Sequence, residues 1–126
     1  MSHTVDLTSE NFSDIVDNND LVFIDFWAEW CGPCKSFAPV FDGAAENHPD
    51  IVFAKVNTEE AQDLAGQFGI RSIPTLMVFK EQVVVFSQAG ALQQSQLDHL
   101  VAEAKKLDME TVRQEIENRK AEKSTA

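Results

Sequence analysis

The chain has 126 residues, 44% hydrophobic and 25% charged, the content of one globular domain with a core of its own. Its formal net charge of −11 opposes nucleic-acid phosphates and anionic membrane surfaces, so neither is an expected partner, and it favours a soluble monomer. No apolar run approaches the ~18 residues of a membrane span, and residues 1–12 hold neither a basic start nor an apolar stretch of the signal-peptide kind, so a reducing, cytoplasmic setting is expected.

Val5 opens a short strand, and Thr8 or Ser9 fits the N-cap of a helix that turns Phe12, Ile15 and Val16 inward. Asn18, Asn19 and Asp20 form a turn. Residues 21–28 are a nearly continuous apolar run of strand formers, as a central strand covered on both faces requires. Gly32–Asn47 reads as a helix with Phe37, Phe41 and Ala44 or Ala45 on its apolar face; Pro39 lies inside it and implies a lost hydrogen bond and a kink.

Residues 51–56 supply another strand, and Ala61, Leu64, Ala65 and Phe68 recur at helical spacing before Gly69 ends that helix. Residues 75–79 and 83–86 read as an antiparallel hairpin. A helix from Ser95 carries Leu97, Leu100, Val101 and Ala104, with Ser95 and Asp98 at capping-box spacing. Strands alternating with helices, then a late hairpin, predict an α/β fold with a mixed five-stranded sheet and four flanking helices.

The chemistry concentrates at Cys31-Gly32-Pro33-Cys34, which follows the central strand and opens a helix; no other cysteine exists. A cross-link closing so small a loop adds little stability. The unpaired amides and positive dipole end of a helix N-terminus favour a thiolate, which is the reactive nucleophile. Cys31 precedes the first turn and is expected to be the exposed nucleophile, with Cys34 the buried resolving thiol. The alternatives are an inert buried pair and half of a zinc site. Zinc takes four ligands, whereas His3, His48 and His99 are scattered, so no metal site is expected. Asp25 is the one charge inside the apolar run; desolvation there raises its pKa, unless it marks a strand edge facing solvent.

Phe26-Trp27-Ala28-Glu29-Trp30-Cys31-Gly32-Pro33-Cys34-Lys35 resembles the active-site signature of the thioredoxin family almost letter for letter. The likeness continues through Pro39, Ala54-Lys55-Val56-Asn57, Gly69-Ile70-Arg71-Ser72-Ile73-Pro74-Thr75 and Gly90-Ala91-Leu92, and covers roughly residues 4–106. It implies a thioredoxin fold over residues 1–107, with 108–126 as a C-terminal helical extension or tail.

The resemblance further implies a thiol–disulfide oxidoreductase that reduces client proteins by dithiol–disulfide exchange. Asp25 would sit behind Cys34 as its general base, with Lys55 near that carboxylate. Pro74 would follow a cis peptide bond, and the Ile73 backbone would pair with an extended client segment. Trp30, Gly32, Pro33, Ile73, Pro74, Gly90 and Ala91 would bind clients around Cys31, while Trp27 packs beside the site. No bound cofactor is implied; NADPH would supply electrons through a flavoprotein thioredoxin reductase. The Gly-Pro pair is similar to that of reductants rather than periplasmic oxidants. The rival reading is a binding module docked through its tail, whose thiols matter little.

Two departures stand out. Lys80-Glu81-Gln82 lacks the Asn-Gly turn common in relatives, so another or longer turn is expected. Beyond residue 107 the resemblance is silent. There Leu107, Asp108 and Val112 fit N′, N-cap and N4 of a new helix, Met109, Val112 and Ile116 line one narrow face, and Glu115 and Arg119 are spaced to pair. From Glu110 onward acids and bases balance, so the body carries the acidic excess. The segment reads as a frayed continuation of the last helix, or as a helix docked on the body or on a partner.

Overall fold

The structure is a computed structural model that describes residues 3–124. Met1 and Ser2, part of the N-terminal stretch considered above, and Thr125 and Ala126 of the tail lie outside the described residues.

Five strands form one sheet in the order β1-β3-β2-β4-β5, comprising β1 Val5–Asp6, β2 Leu21–Trp27, β3 Val52–Asn57, β4 Thr75–Lys80 and β5 Val83–Ala89. β3 runs parallel to both β2 and β1, whereas β4 is antiparallel to β2 and to β5. The seven residues of β2 are buried except for half-buried Trp27, which explains the unbroken apolar run: this strand has a neighbour on each edge and helices on each face.

The period of two sorts its side chains. Val22, Ile24 and Phe26 join Ala54, Val56, Met77 and Phe79 beneath α1 (Phe12–Asp17) and α3 (Gln62–Gln67). Leu21 and Phe23 join Phe53, Leu76 and Val78 beneath α2 (Gly32–Asn47) and α4 (Gln94–Lys106). There Phe23 stacks on Phe53 at 5.2 Å between centroids, and Phe41 of α2 meets the edge of Phe53 at 5.3 Å. By the same alternation Asp25 belongs to the α2 and α4 face. Pro39 sits within α2, which runs on unbroken to Asn47.

The ends of elements depart most from expectation. The N-cap of α1 is Asn11, not Thr8 or Ser9; its Oδ1 accepts from the Thr8 amide at 2.8 Å and its Nδ2 donates to Asp6 O at 2.9 Å. α4 starts after Gln93, whose amide donates to Gln96 Oε1 at 2.9 Å, and Asp98 instead accepts from the Gln94 side chain. Gly69 does end α3, at φ +65°, with the Ile70 amide reaching back to Ala65 O at 3.0 Å as in a Schellman motif.

The hairpin turn is short after all. Lys80 pairs with Val83, so Glu81 and Gln82 alone make the turn, at φ 50° and 70°. Left-handed backbone at both central residues is the I′ geometry that Asn-Gly normally serves. Each non-glycine residue there carries a steric penalty. Gln82→Gly is therefore expected to raise stability by about 1 kcal/mol, read as a higher denaturant midpoint; an unchanged or lower midpoint would show that the contact from Gln82 Nε2 to Asp17 O outweighs the backbone relief.

Lys80, a buried cation, ends β4 at this turn. Its Nζ donates to Ala104 O at 2.8 Å, Lys105 O at 3.1 Å and Leu107 O at 3.0 Å, capping the carbonyls at the end of α4. Lys80→Met keeps the apolar stem but leaves those carbonyls without this donor, and about 2 kcal/mol of stability should be lost. Equal urea midpoints would mean that the carbonyls find other partners.

α5 (Met109–Ser124) is a separate helix, not a continuation of α4: Leu107 between them is extended, at φ −61° and ψ 128°. Asp108 caps it, accepting from the Glu110 amide at 3.1 Å and the Thr111 hydroxyl at 2.8 Å. Met109 is 5% exposed, Val112 and Ile116 are half-buried, and Arg113 pairs with Glu81 of the hairpin turn. Among the described residues, an ion pair thus ties this helix to the body, and the expected one between Glu115 and Arg119 is not formed. Among the described residues, no helix is long and apolar enough to cross a membrane.

Candidate active site

The chain leaves the sheet at the C-terminal end of the central strand β2, and Cys31 is the N-cap of the helix that follows. Pro33 lies in the first turn, where its missing N–H costs nothing and its fixed φ suits the helix. Cys31 and Cys34 are joined as a disulfide, with Cα atoms 5.2 Å apart. The Cys34 amide donates to Cys31 Sγ at 3.2 Å, so the sulfur takes the place of a capping oxygen. When the bond is reduced, the same amide and the helix dipole face a Cys31 thiolate, the species they stabilise most.

The expected contrast between an exposed Cys31 and a buried Cys34 is not present in the oxidised protein. Cys31 is 4% exposed and Cys34 3%. A second segment covers the first sulfur: Ile73 O lies 3.6 Å from Cys31 Sγ, across 42 residues of sequence. The Ile73–Pro74 peptide is cis, and Pro74 O accepts from the Gly90 amide at 2.8 Å. These contacts bring the loops holding Ile73, Pro74, Gly90 and Ala91 together beside the cysteines. Ile73 is half-buried and Pro74 buried, while Gly32, Pro33, Gly90 and Ala91 are exposed. Trp30, 70% exposed, stands on the other flank.

Asp25 is 0% exposed, and neither carboxyl oxygen has a hydrogen-bond partner among the described residues. Burial pushes its pKa up to about 7, against the pull of the Lys55 charge and with a smaller push from Asp42. The strand-edge alternative is therefore wrong: the carboxyl lies in the core, on the sheet face that α2 covers. Lys55 is its cross-strand neighbour in β3, and the Lys55 ammonium sits over the Trp27 ring, 4.9 Å from its centroid. A buried carboxyl without partners, poised near neutrality, can take up and release a proton under ordinary conditions.

Two participants escaped the sequence. Glu59 Oε1 accepts from Trp30 Nε1 at 2.6 Å, and Asp42 acts electrostatically on Asp25. The nearest signal for the first is Asn57, an Asx-turn former, whose Oδ1 accepts from the Glu59 amide at 2.9 Å. Nothing in the spacing of Asp42 sets it apart from any other acidic residue on a helix. Among the described residues no group of three His, Cys, Asp or Glu side chains could hold a metal ion.

Comparison with known proteins agrees with this geometry. The thioredoxin family model matches residues 3–103. The putative thioredoxin 2 of Streptomyces coelicolor is 54% identical over 122 residues, covering 97% of this chain and 91% of that protein. The thioredoxin of Haemophilus influenzae is 42% identical over 80% of this chain and 96% of its own length. Among solved structures, a mutant thioredoxin from Halobacterium salinarum superposes with a TM-score of 0.75 at 33% identity, over 79% of this chain and 88% of that one. A thioredoxin of Plasmodium falciparum gives 0.74 at 35% identity, over 79% and 98%. With the fold, the cysteine motif and its helix cap all in agreement, the chain belongs to the thioredoxin family of thiol–disulfide oxidoreductases, with Cys31 and Cys34 as its redox-active pair.

Proposed function

We propose that this protein is a cytoplasmic, monomeric electron carrier that reduces disulfides of client proteins and is itself re-reduced, from NADPH, by a flavoprotein thioredoxin reductase. The observation that carries the reading is Asp25, buried and without a hydrogen-bond partner among the described residues, on the sheet face beneath the helix whose first turn holds Cys34.

In the forward half-reaction the Cys31 thiolate attacks one sulfur of the client disulfide, and the other client sulfur leaves as a thiolate. Asp25 then takes the proton of Cys34. The Cys34 sulfur attacks Cys31 Sγ, the Cys31–client bond breaks, and the client departs with both sulfurs reduced while Cys31–Cys34 closes. Lys55 lowers the energy of the ionised Asp25 carboxylate and so limits how far burial raises its pKa. Trp30, Gly32, Pro33, Ile73, Pro74, Gly90 and Ala91 form the client-binding rim, with the Ile73 backbone offered to an extended segment. No bound cofactor takes part in this cycle.

The test couples the protein to a thioredoxin reductase and a protein disulfide and follows NADPH consumption. Turnover that depends on all three components supports the reading; a folded protein with none leaves only a binding module.

Residues 1–107 are proposed as the catalytic domain and 108–126 as an appended helical segment. α5 begins beside Lys80 and Glu81. It is therefore separated from Pro74 by the length of β4, about 17 Å at the usual rise per residue. Truncation after Leu107 is expected to lower stability by about 1–2 kcal/mol through loss of the buried Met109 side chain, with turnover in the coupled assay unchanged. A severe fall in turnover without unfolding would put the tail in the active surface.

A further inference from the structure

The flank of the site beside Trp30 is built differently from the apolar flank made by Ile73, Pro74 and Ala91. Trp30 directly precedes the nucleophile and is largely exposed, yet its only polar atom is committed: Nε1 donates to Glu59 Oε1 at 2.6 Å. That bond fixes the ring and leaves its face open. The backbone that carries this carboxylate is held by the turn at Asn57, whose Oδ1 accepts from the Glu59 amide at 2.9 Å and the Glu60 amide at 3.4 Å. A cleft of about 480 Å³ lies here, lined by Glu29, Trp30, Asn57, Glu59 and Glu60, with no basic residue in its wall. Through Glu29, Asn57 and Glu60 it runs into a second cleft of about 460 Å³ that adds Glu10 and Asp63, and whose one base, Lys55, is drawn over Trp27.

An open indole face attracts a cation through its quadrupole, and three carboxylates around it attract the same charge. A neutral apolar segment would gain from the ring alone and would face the carboxylates without return. A metal ion is a poor occupant, since no three metal-ligating side chains converge among the described residues. Resting on the disulfide-reductase reading above, we infer that the cleft beside Trp30 seats a lysine or arginine side chain that flanks the reacting cysteine of the client, so that disulfides with a cationic neighbour are the preferred substrate class. The Glu59 carboxylate is fixed by the indole, and the backbone carrying Glu59 and Glu60 by Asn57, so less ordering is needed when the client docks.

The test uses three synthetic peptides, each closed by an internal disulfide and identical except for arginine, glutamine or glutamate next to the first cysteine. Dithiothreitol-reduced, desalted protein is mixed with each in single turnover, and peptide thiols are quantified. The arginine peptide is expected to react about tenfold faster than the glutamate peptide at low salt, with the ratio shrinking as ionic strength rises. Glu59→Gln keeps an acceptor for Trp30 Nε1 but removes a charge; combined with Glu60→Gln it is expected to narrow the ratio to about twofold. Asp17→Asn with Asp20→Asn, which removes equal charge beside the hairpin turn, is expected to leave the ratio as it was. Equal rates for the three peptides overturn the inference while leaving the reductase reading intact. A ratio insensitive to Glu59 and Glu60, or lost equally with Asp17 and Asp20, traces the preference to net charge and also overturns it. If no peptide is reduced at all, the reductase reading falls and the inference with it.

Discussion

Replacing Cys31 with serine is expected to cut protein disulfide reduction by at least about a thousandfold, as loss of a nucleophile does, whereas Cys34→Ser leaves the first attack intact and accumulates client as mixed disulfide. The asymmetry follows from the helix start. Cys31 Sγ is the cap that meets the Cys34 amide and has the loop of Ile73, proposed to bind clients, beside it. Cys34 lies within the first turn of the helix, so its place there, and not its burial, which Cys31 shares, sets it apart. Non-reducing gels with a disulfide-bonded client separate the two outcomes. Equal trapping by both variants would reverse or erase the assigned roles.

Asp25→Ala is expected to make the oxidised protein more stable and the reduced protein slower. Folding raises the carboxyl pKa from 3.8 to about 7, so the folded state holds a proton that the unfolded state has released. Between those pH values the folded protein binds more protons than the unfolded one; stability therefore falls as pH rises through this window, and the penalty is complete above it. At pH 8 its removal is worth about 2–4 kcal/mol after allowing for the small cavity left by the substitution. Near pH 4 the variant and the parent should converge. Guanidinium denaturation at the two pH values reads the effect, and a variant less stable at pH 8 would identify Asp25 as a satisfied structural group. In turnover, the mixed disulfide should persist longer near neutrality if Asp25 is, as proposed, the base for Cys34.

What was legible in the sequence was local in origin. The cysteine pair announced itself by its spacing and by the helix it opens. Asp25 stood out as the one charge inside an apolar run, with a solvent-facing strand edge as its alternative, and Gly69 because α3 needed a left-handed terminus. The illegible features were set by partners far along the chain. Glu59 meets Trp30 across 29 residues, and Lys80 reaches carbonyls 24 to 27 residues away; neither residue type nor flanking pattern encodes such a pairing. At Glu81 and Gln82 local preference pointed away from the outcome. The register of β4 against β5 demanded two left-handed residues, and tertiary pairing overrode propensity. The same competition moved the start of α4 from Ser95 to Gln93, whose extended backbone matches the entry of the chain. The burial of Cys31 was missed because Ile73, which covers it, arrives from the loop before β4, 42 residues away in sequence.

The sheet order has a consequence for synthesis. β4 is antiparallel to β2, so its first residue lies beside the last residues of β2, and Pro74 comes to the cysteines only once β4 is inserted. A nascent chain that has emerged through α3 already carries the Cys31–Cys34 pair on a parallel fragment of β1, β2 and β3. It lacks the wall that covers the first sulfur. Its thiols are therefore open to oxidants in the ribosome's surroundings until β4, which ends at Lys80, 13 residues beyond the end of α3 at Gln67, has followed, about one to three seconds of translation.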